Sequence, residues 1–139
     1  MKTLEVDLYA WVKTQPSLTA QLGGAERPRW FYGVAPQGPA RPYVVWRLSG
    51  GESIHHQGGK ADLEQPRILI DVYAGEDGAV LVALAGAIDA LLDGFRGTMG
   101  ATNLRRLTRE AATDLPELRA DGSARGTLRR RLEYSAWFV

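Results

Sequence analysis

Between Arg67 and Leu92 the apolar pattern changes period from two to 3.6, with only Gly75-Glu76-Asp77-Gly78 between the two halves. Ile68, Ile70, Val72 and Ala74 alternate with Arg67, Leu69, Asp71 and Tyr73, the pattern of a strand with one buried face. Val80, Leu81, Leu84, Ala87, Ile88 and Leu91 then recur at helical spacing. Asp77 stands where an N-cap is needed, and Gly94 closes the helix. An apolar strand face running directly into an apolar helix stripe has few solutions, and in most of them the stripe covers the face. The small residues Ala83, Gly86, Ala87 and Ala90 predict a close approach of this helix to the sheet.

The rest of the chain completes such a layer pair. Residues 3–13 form an amphipathic helix with Leu4, Leu8, Trp11 and Val12 on one face, Thr3 as cap, and Glu5 and Asp7 in the first turn. Pro16 suits the first position of a second, short helix through Leu22, stopped by Gly23-Gly24. The stretch 23–42 carries Pro28, Pro36, Pro39 and Pro42, which restrict Arg29 to Val34 to an edge strand. Tyr43 to Leu48 is a strand. A polar loop from Ser49 to Lys60 follows, and Leu63 to Ala74 returns as the second arm of a long-tipped hairpin. Thr102 to Thr108 is a strand, Ala111 to Gly126 a loop with Pro116 and Asp121-Gly122, and Thr127 to Val139 the final strand. In that strand Leu128, Leu132, Tyr134, Ala136 and Phe138 share one face. Thr127, Arg129, Arg131, Glu133 and Ser135 share the other, and Arg130 interrupts the apolar side. The expected fold is α+β, a two-layer sandwich. A mainly antiparallel sheet with a long-tipped hairpin carries two main helices on one face, all in one domain over 1–139.

Composition narrows the chemistry. Hydrophobic residues make up 45% of the 139 and charged residues 24%, which suits a globular domain and not a disordered chain. The formal net charge of +1 argues against a strongly basic, sequence-independent nucleic-acid binder. The absence of Cys rules out a disulfide scaffold, a Cys-ligated zinc site and a thiol nucleophile. Acids near the N-terminus and an apolar run that stops at Asp89 give the expectation of neither a signal sequence nor a membrane span.

Catalytic equipment is sparse. The only histidines, His55-His56, are adjacent, whereas metal pairs need i, i+4 on a helix or i, i+2 on a strand. The expectation is no metal, no cofactor and no catalytic site. Ser49, Ser53 and Ser123 lie outside any G-x-S-x-G elbow, and Gly58-Gly59-Lys60-Ala61 lacks the spacing of a phosphate loop. Asp89 and Asp93, at i, i+4, are expected on a solvated helix face.

The arginines say more. Only Lys2, Lys13 and Lys60 are lysines among 17 basic residues. From Arg105 to Arg131 there are eight Arg against Glu110, Asp114, Glu117 and Asp121, an excess of four, which leaves the remainder of the chain at minus three. A chain basic in one region and acidic elsewhere can bind copies of itself head to tail, and arginine suits interfaces because its planar fork pairs with carboxylates. Solvated arginines on an outward strand face are the plainer alternative. Among the aromatic residues, Tyr73 and Trp137 lie on strand faces opposite their apolar neighbours and are candidate interface anchors, and Arg129 and Arg131 are the candidate charged residues of the subunit interface.

Two blocks carry a family resemblance. Arg67-Ile68-Leu69-Ile70-Asp71-Val72-Tyr73-Ala74-Gly75 leading into Ala79–Leu92, and Leu128-Arg129-Arg130-Arg131-Leu132-Glu133-Tyr134-Ser135-Ala136-Trp137-Phe138, resemble the tail terminator (tail completion) proteins of long-tailed phages and of related particles such as gene transfer agents. Pro42-Tyr43-Val44-Val45 fits the start of the family's hairpin. The resemblance implies a structural virion protein, assembled in the host cytoplasm and placed at the head-tail junction. It implies a six-subunit ring that caps the tail tube, stops its growth and presents a surface to the head-side connector, or stopper. The implied partners are further copies of the chain, the tail tube protein and that connector. No membrane and no sequence-specific nucleic acid are implied, although DNA passes through such a ring. The resemblance also directs the hairpin tip to the lumen or the tube, so that Ser53, His55, His56, Gln57 and Lys60 would be docking contacts in a segment that orders on contact. The alternative from another class is a small α+β module that binds double-stranded RNA. Glu76-Asp77 at the second main helix opposes that reading, because such a module needs cations there.

Overall fold

The computed structural model describes residues 4–56, 59–75, 77–118 and 124–138, with side chains described outside 50–65 and 117–128. Thr3, Gln57, Glu76 and Val139 therefore lie outside the described residues. In chain order the elements are α1 (Leu4–Val12), α2 (Pro16–Thr19), β1 (Trp30–Tyr32), β2 (Tyr43–His56), β3 (Gly59–Tyr73), α3 (Gly78–Leu92), β4 (Gly97–Met99), β5 (Thr102–Leu118) and β6 (Ala124–Phe138). The strands form one sheet in the order β1-β2-β3-β6-β5-β4. Every pairing is antiparallel except that of β1 with β2.

The strand-helix block folds as its pattern requires. Ile68, Ile70 and Val72 are fully or almost fully buried on the helix-covered face, under Leu81, Leu84, Ile88 and Leu92 of α3. The Asp77 carboxylate accepts from the backbone N–H of Ala79 and of Val80, a side-chain cap that satisfies two donors of the first turn. Gly94 takes φ +80° just beyond the helix, where a side chain would be strained. Ala83, Gly86 and Ala90 are exposed, contrary to expectation; Ala85 is the small residue buried beneath α3. Larger apolar side chains therefore set the helix-to-sheet spacing.

Helix α1 buries Leu4, Leu8 and Val12 completely, and Trp11 meets Phe95 edge to face with ring centroids 5.5 Å apart. Its Asp7 accepts a 2.6 Å hydrogen bond from the Thr102 hydroxyl, and Gly100, at φ +57°, lets that carboxylate approach the β4–β5 turn where any Cβ would collide with it. Helix α2 starts at Pro16 but ends at Thr19, with turns continuing to Gly23, which is shorter than expected.

Two loops expected from polar and breaker residues are strands. The backbone from Ser49 to His56 and from Gly59 onward is paired, with irregularities between Ser49 and Glu52 and between Ser53 and His55. The segment 111–118 continues β5, and β6 begins at Ala124. A two-stranded ribbon satisfies its own backbone groups, so it forms without the apolar alternation that marks a half-buried strand. Register shifts absorb the residues that fit poorly, Pro116 among them. The strand β4 is too short to leave a pattern. Pairing between β3 and β6 is confined to Arg67–Tyr73 against Arg129–Ser135. Beyond that central block the β2–β3 and β5–β6 ribbons continue in opposite directions, away from the helix-covered core.

Candidate interaction surface

The strand register puts Tyr43, Tyr73 and Arg129 side by side on the face opposite the helices, with Val45, Asp71 and Arg131 in the next row. Direct cross-strand neighbours share a face, so the sequence alternation and the register together fix this grouping. Asp71 is the centre. Arg131 donates through Nε to its Oδ1 at 2.8 Å and through Nη2 to its Oδ2 at 3.2 Å, a two-pronged ion pair. Arg129 lies 3.5 Å from the same Oδ2 and donates to the Tyr73 hydroxyl at 2.9 Å. The Asp71 hydrogen bonds push the Arg131 guanidinium further above its ordinary pKa, against the opposing effect of burial.

An aromatic row extends the network. Tyr43 and Tyr73 stack at 4.8 Å with an 11° interplanar angle, Arg129 lies 5.9 Å from the Tyr73 ring centroid, and Arg41 lies 5.6 Å from that of Tyr43. These four side chains line a cleft of about 760 Å³, closed on one side by Gly33–Pro39 and on another by Pro116. Asp71 is only 9% exposed although no helix covers it, because the flanking guanidiniums and the tyrosine do.

The predicted anchors thus separate. Arg129, Arg131 and Tyr73 come together and are tied to each other within the chain. Trp137 sits at the far end of β6, in a second pocket of about 320 Å³ with Arg96, Arg105 and Arg106. Ser53, His55, His56 and Lys60 lie on the β2–β3 ribbon, where His55 pairs with Lys60 and Ser53 with Glu64 in backbone register. Gln57 is outside the described residues.

One expectation on the opposite face needs correction. Asp89 does not face open solvent. Its Oδ1 accepts from the Tyr134 hydroxyl at 2.8 Å and its Oδ2 from Arg109 Nη1 at 2.9 Å, while Asp93 accepts from the Arg109 backbone N–H. Burial, then the Asp89 bond, pushes the Tyr134 phenol far above its ordinary pKa, so it stays a neutral donor. Arg130, which interrupts the apolar face, forms a two-pronged pair with Asp114 of β5 at 2.7 and 3.2 Å.

Sequence reasoning missed Asp71 as the hub, the Arg41–Tyr43 extension, and the arginines around Trp137. An acid at an outward position of an otherwise apolar strand, together with an arginine-rich strand elsewhere, was the available signal for the first. Only the register pairs them.

The family described as Tail completion protein gp17 matches residues 6–138. The chain belongs to that family, and it is a structural protein of a virion tail. No curated protein matches it. Among solved structures, a chain from the virion of the native gene transfer agent (GTA) particle superposes with a TM-score of 0.69 at 20% identity, over 97% of this chain and 93% of that one, which establishes a shared fold.

Proposed function

We propose that the protein assembles as a ring, of six subunits by the family resemblance, on the head-proximal end of a tail tube. There it stops tube growth and offers its other face to the head-side connector. The family match over 6–138 carries this reading. The likeness to a chain of a gene transfer agent virion agrees with a place in a tailed particle. Its role is one of shape and contact without catalysis.

The geometry suggests how such a ring would work. Ribbons leaving the sheet in opposite directions give each subunit a means of touching what lies on either side of it. The β2–β3 ribbon with Ser53, His55, His56 and Lys60 is assigned to the tube, along with Gln57. Arg129, Arg131 and Tyr73 are assigned to the subunit contact, with the Asp71 network holding them in one conformation so that little side-chain entropy is lost on association. Head-to-tail contacts of this kind close into rings when the rotation between neighbours divides the circle.

Two measurements test the proposal. Light scattering behind size exclusion should give a mass near six protomers of 15.2 kDa. Particles made without the protein should carry tubes of uncontrolled length and no attached heads, as seen by electron microscopy. Tubes of normal length in its absence would refute the capping role.

A further inference from the structure

The pocket at Trp137 gathers three arginines and, among its described lining residues, no carboxylate. Arg96, from the segment after α3, and Arg105 and Arg106, from β5, line it together with the half-buried indole. None of the three forms a hydrogen bond or ion pair among the described residues, whereas Arg109, Arg129, Arg130 and Arg131 all do. Convergent guanidiniums repel one another, and among the described residues no acid pairs with these three to offset that.

A backbone irregularity creates the convergence. In the β5–β6 register, Leu104 opposes Phe138 and Arg106 opposes Trp137, so Arg105 is an extra residue on β5. In a regular strand Arg105 and Arg106 would occupy opposite faces. A bulge of this type re-aims the inserted side chain and lets both reach one pocket. The open flank also has a cause. β6 loses β3 as a neighbour after Ser135, because the β2–β3 ribbon leaves the sheet at Arg67, and Trp137 therefore has a paired strand on only one side.

We infer that this pocket receives carboxylates from the stem of the β2–β3 ribbon of a second copy of the chain, while the tip of that ribbon, from His55 to Lys60, remains for the tube. The inference rests on the ring reading above and adds to it a second contact between neighbouring subunits. Charge complementarity selects the occupant. Residues 50–65 contain Glu52, Asp62 and Glu64 against Lys60 alone, an acidic stretch in a chain whose overall charge is only +1. Length permits it, since the ribbon continues from Ser49 to His56 beyond the central block, about 20 Å at the rise of an extended strand. A nucleic-acid duplex fits less well. It needs cations in a row along its phosphates, but the face next to Trp137 continues with Ser135, bonded to Glu110, and then Glu133.

The test reverses charge on each side. A pocket variant carries Arg96→Glu, Arg105→Glu and Arg106→Glu; a ribbon variant carries Glu52→Arg, Asp62→Arg and Glu64→Arg. Each alone should shift from ring mass to smaller species in light scattering. Mixing the two should restore rings of alternating subunits, because each junction then joins opposite charges, and a contact within one chain cannot be restored by mixing. A milder pocket variant with Gln at the three positions, checked by circular dichroism for an unchanged fold, should also lose the ring and guards against misfolding of the Glu variant. Rings of normal mass from either pocket variant would overturn the inference and leave the ring reading standing. Failure of mixing to restore rings would show that the occupant is not the ribbon. A monomeric wild-type chain would remove the ring reading and this inference together.

Discussion

The two arginine groups on the uncovered sheet face show the same residue type in opposite situations. Around Asp71, Arg131 and Arg129 share one carboxylate within the chain, and two stacked tyrosines shield them. Around Trp137, Arg96, Arg105 and Arg106 have the indole but no acid. The first group is paired within the chain and joins three strands; the second has no acid partner among the described residues. Arginine content therefore does not separate structural from binding residues. What separates them is whether the register delivers a carboxylate.

Five expectations sharpen or break this contrast, and urea midpoints at constant m-value would measure the stability changes. The scale is set by Ile70→Ala, on the helix side of β3, which should cost about 2–5 kcal/mol because Ile70 is fully buried. Its neighbour on the other side comes next. Asp71→Asn leaves two guanidiniums without their acid and should cost about 1–3 kcal/mol. A loss as small as that of an exposed substitution would mean that the Asp71 cluster is no more structural than the Trp137 one. Tyr134→Phe removes the hydroxyl bonded to Asp89 without opening a cavity and should cost about 1 kcal/mol.

The Arg130–Asp114 pair, with Asp114 about 41% exposed, should contribute only a few tenths of a kcal/mol. The hydrogen bonds from Arg130 lower the Asp114 pKa. Its stabilisation is therefore present above the unfolded carboxylate pKa of about 3.9 and is lost as pH falls through the lower folded value. Comparing wild type with Asp114→Asn between pH 7 and pH 2 should show the small difference vanish only at the acid end. Smallest of all, Arg96→Gln, Arg105→Gln and Arg106→Gln together should leave monomer stability within about 0.5 kcal/mol of wild type. A larger destabilisation would place these arginines among the structural ones and erase the contrast.

Much of the molecule was legible without coordinates. The α+β class, the Asp77 cap, the inward set Ile68, Ile70 and Val72, and the outward position of Asp71 and Tyr73 all follow from local periodicity. So does the placement of Arg129 and Arg131 on one face of β6. The errors share a cause. Ser49–Lys60 and Ala111–Gly126 read as loops because their glycines, prolines and polar residues lack alternation, yet the described residues of both segments pair as ribbons, and pairing depends on a partner strand that a local pattern cannot contain. Asp89 read as solvent-facing because an acid on a helix usually is, but Arg109 and Tyr134 reach it from strands 20 and 45 residues away.

The sequence by itself determined which residues turn inward, since burying an apolar face is a local demand that any strand or helix of this pattern must meet. The tertiary structure alone decided which charges meet. Ion pairs need atoms within about 4 Å, and a one-residue change of register moves a side chain to the other face of the sheet. Arg131 found Asp71 through seven residues of β3–β6 register, and Arg105 joined Arg106 beside Trp137 through a single inserted residue in β5.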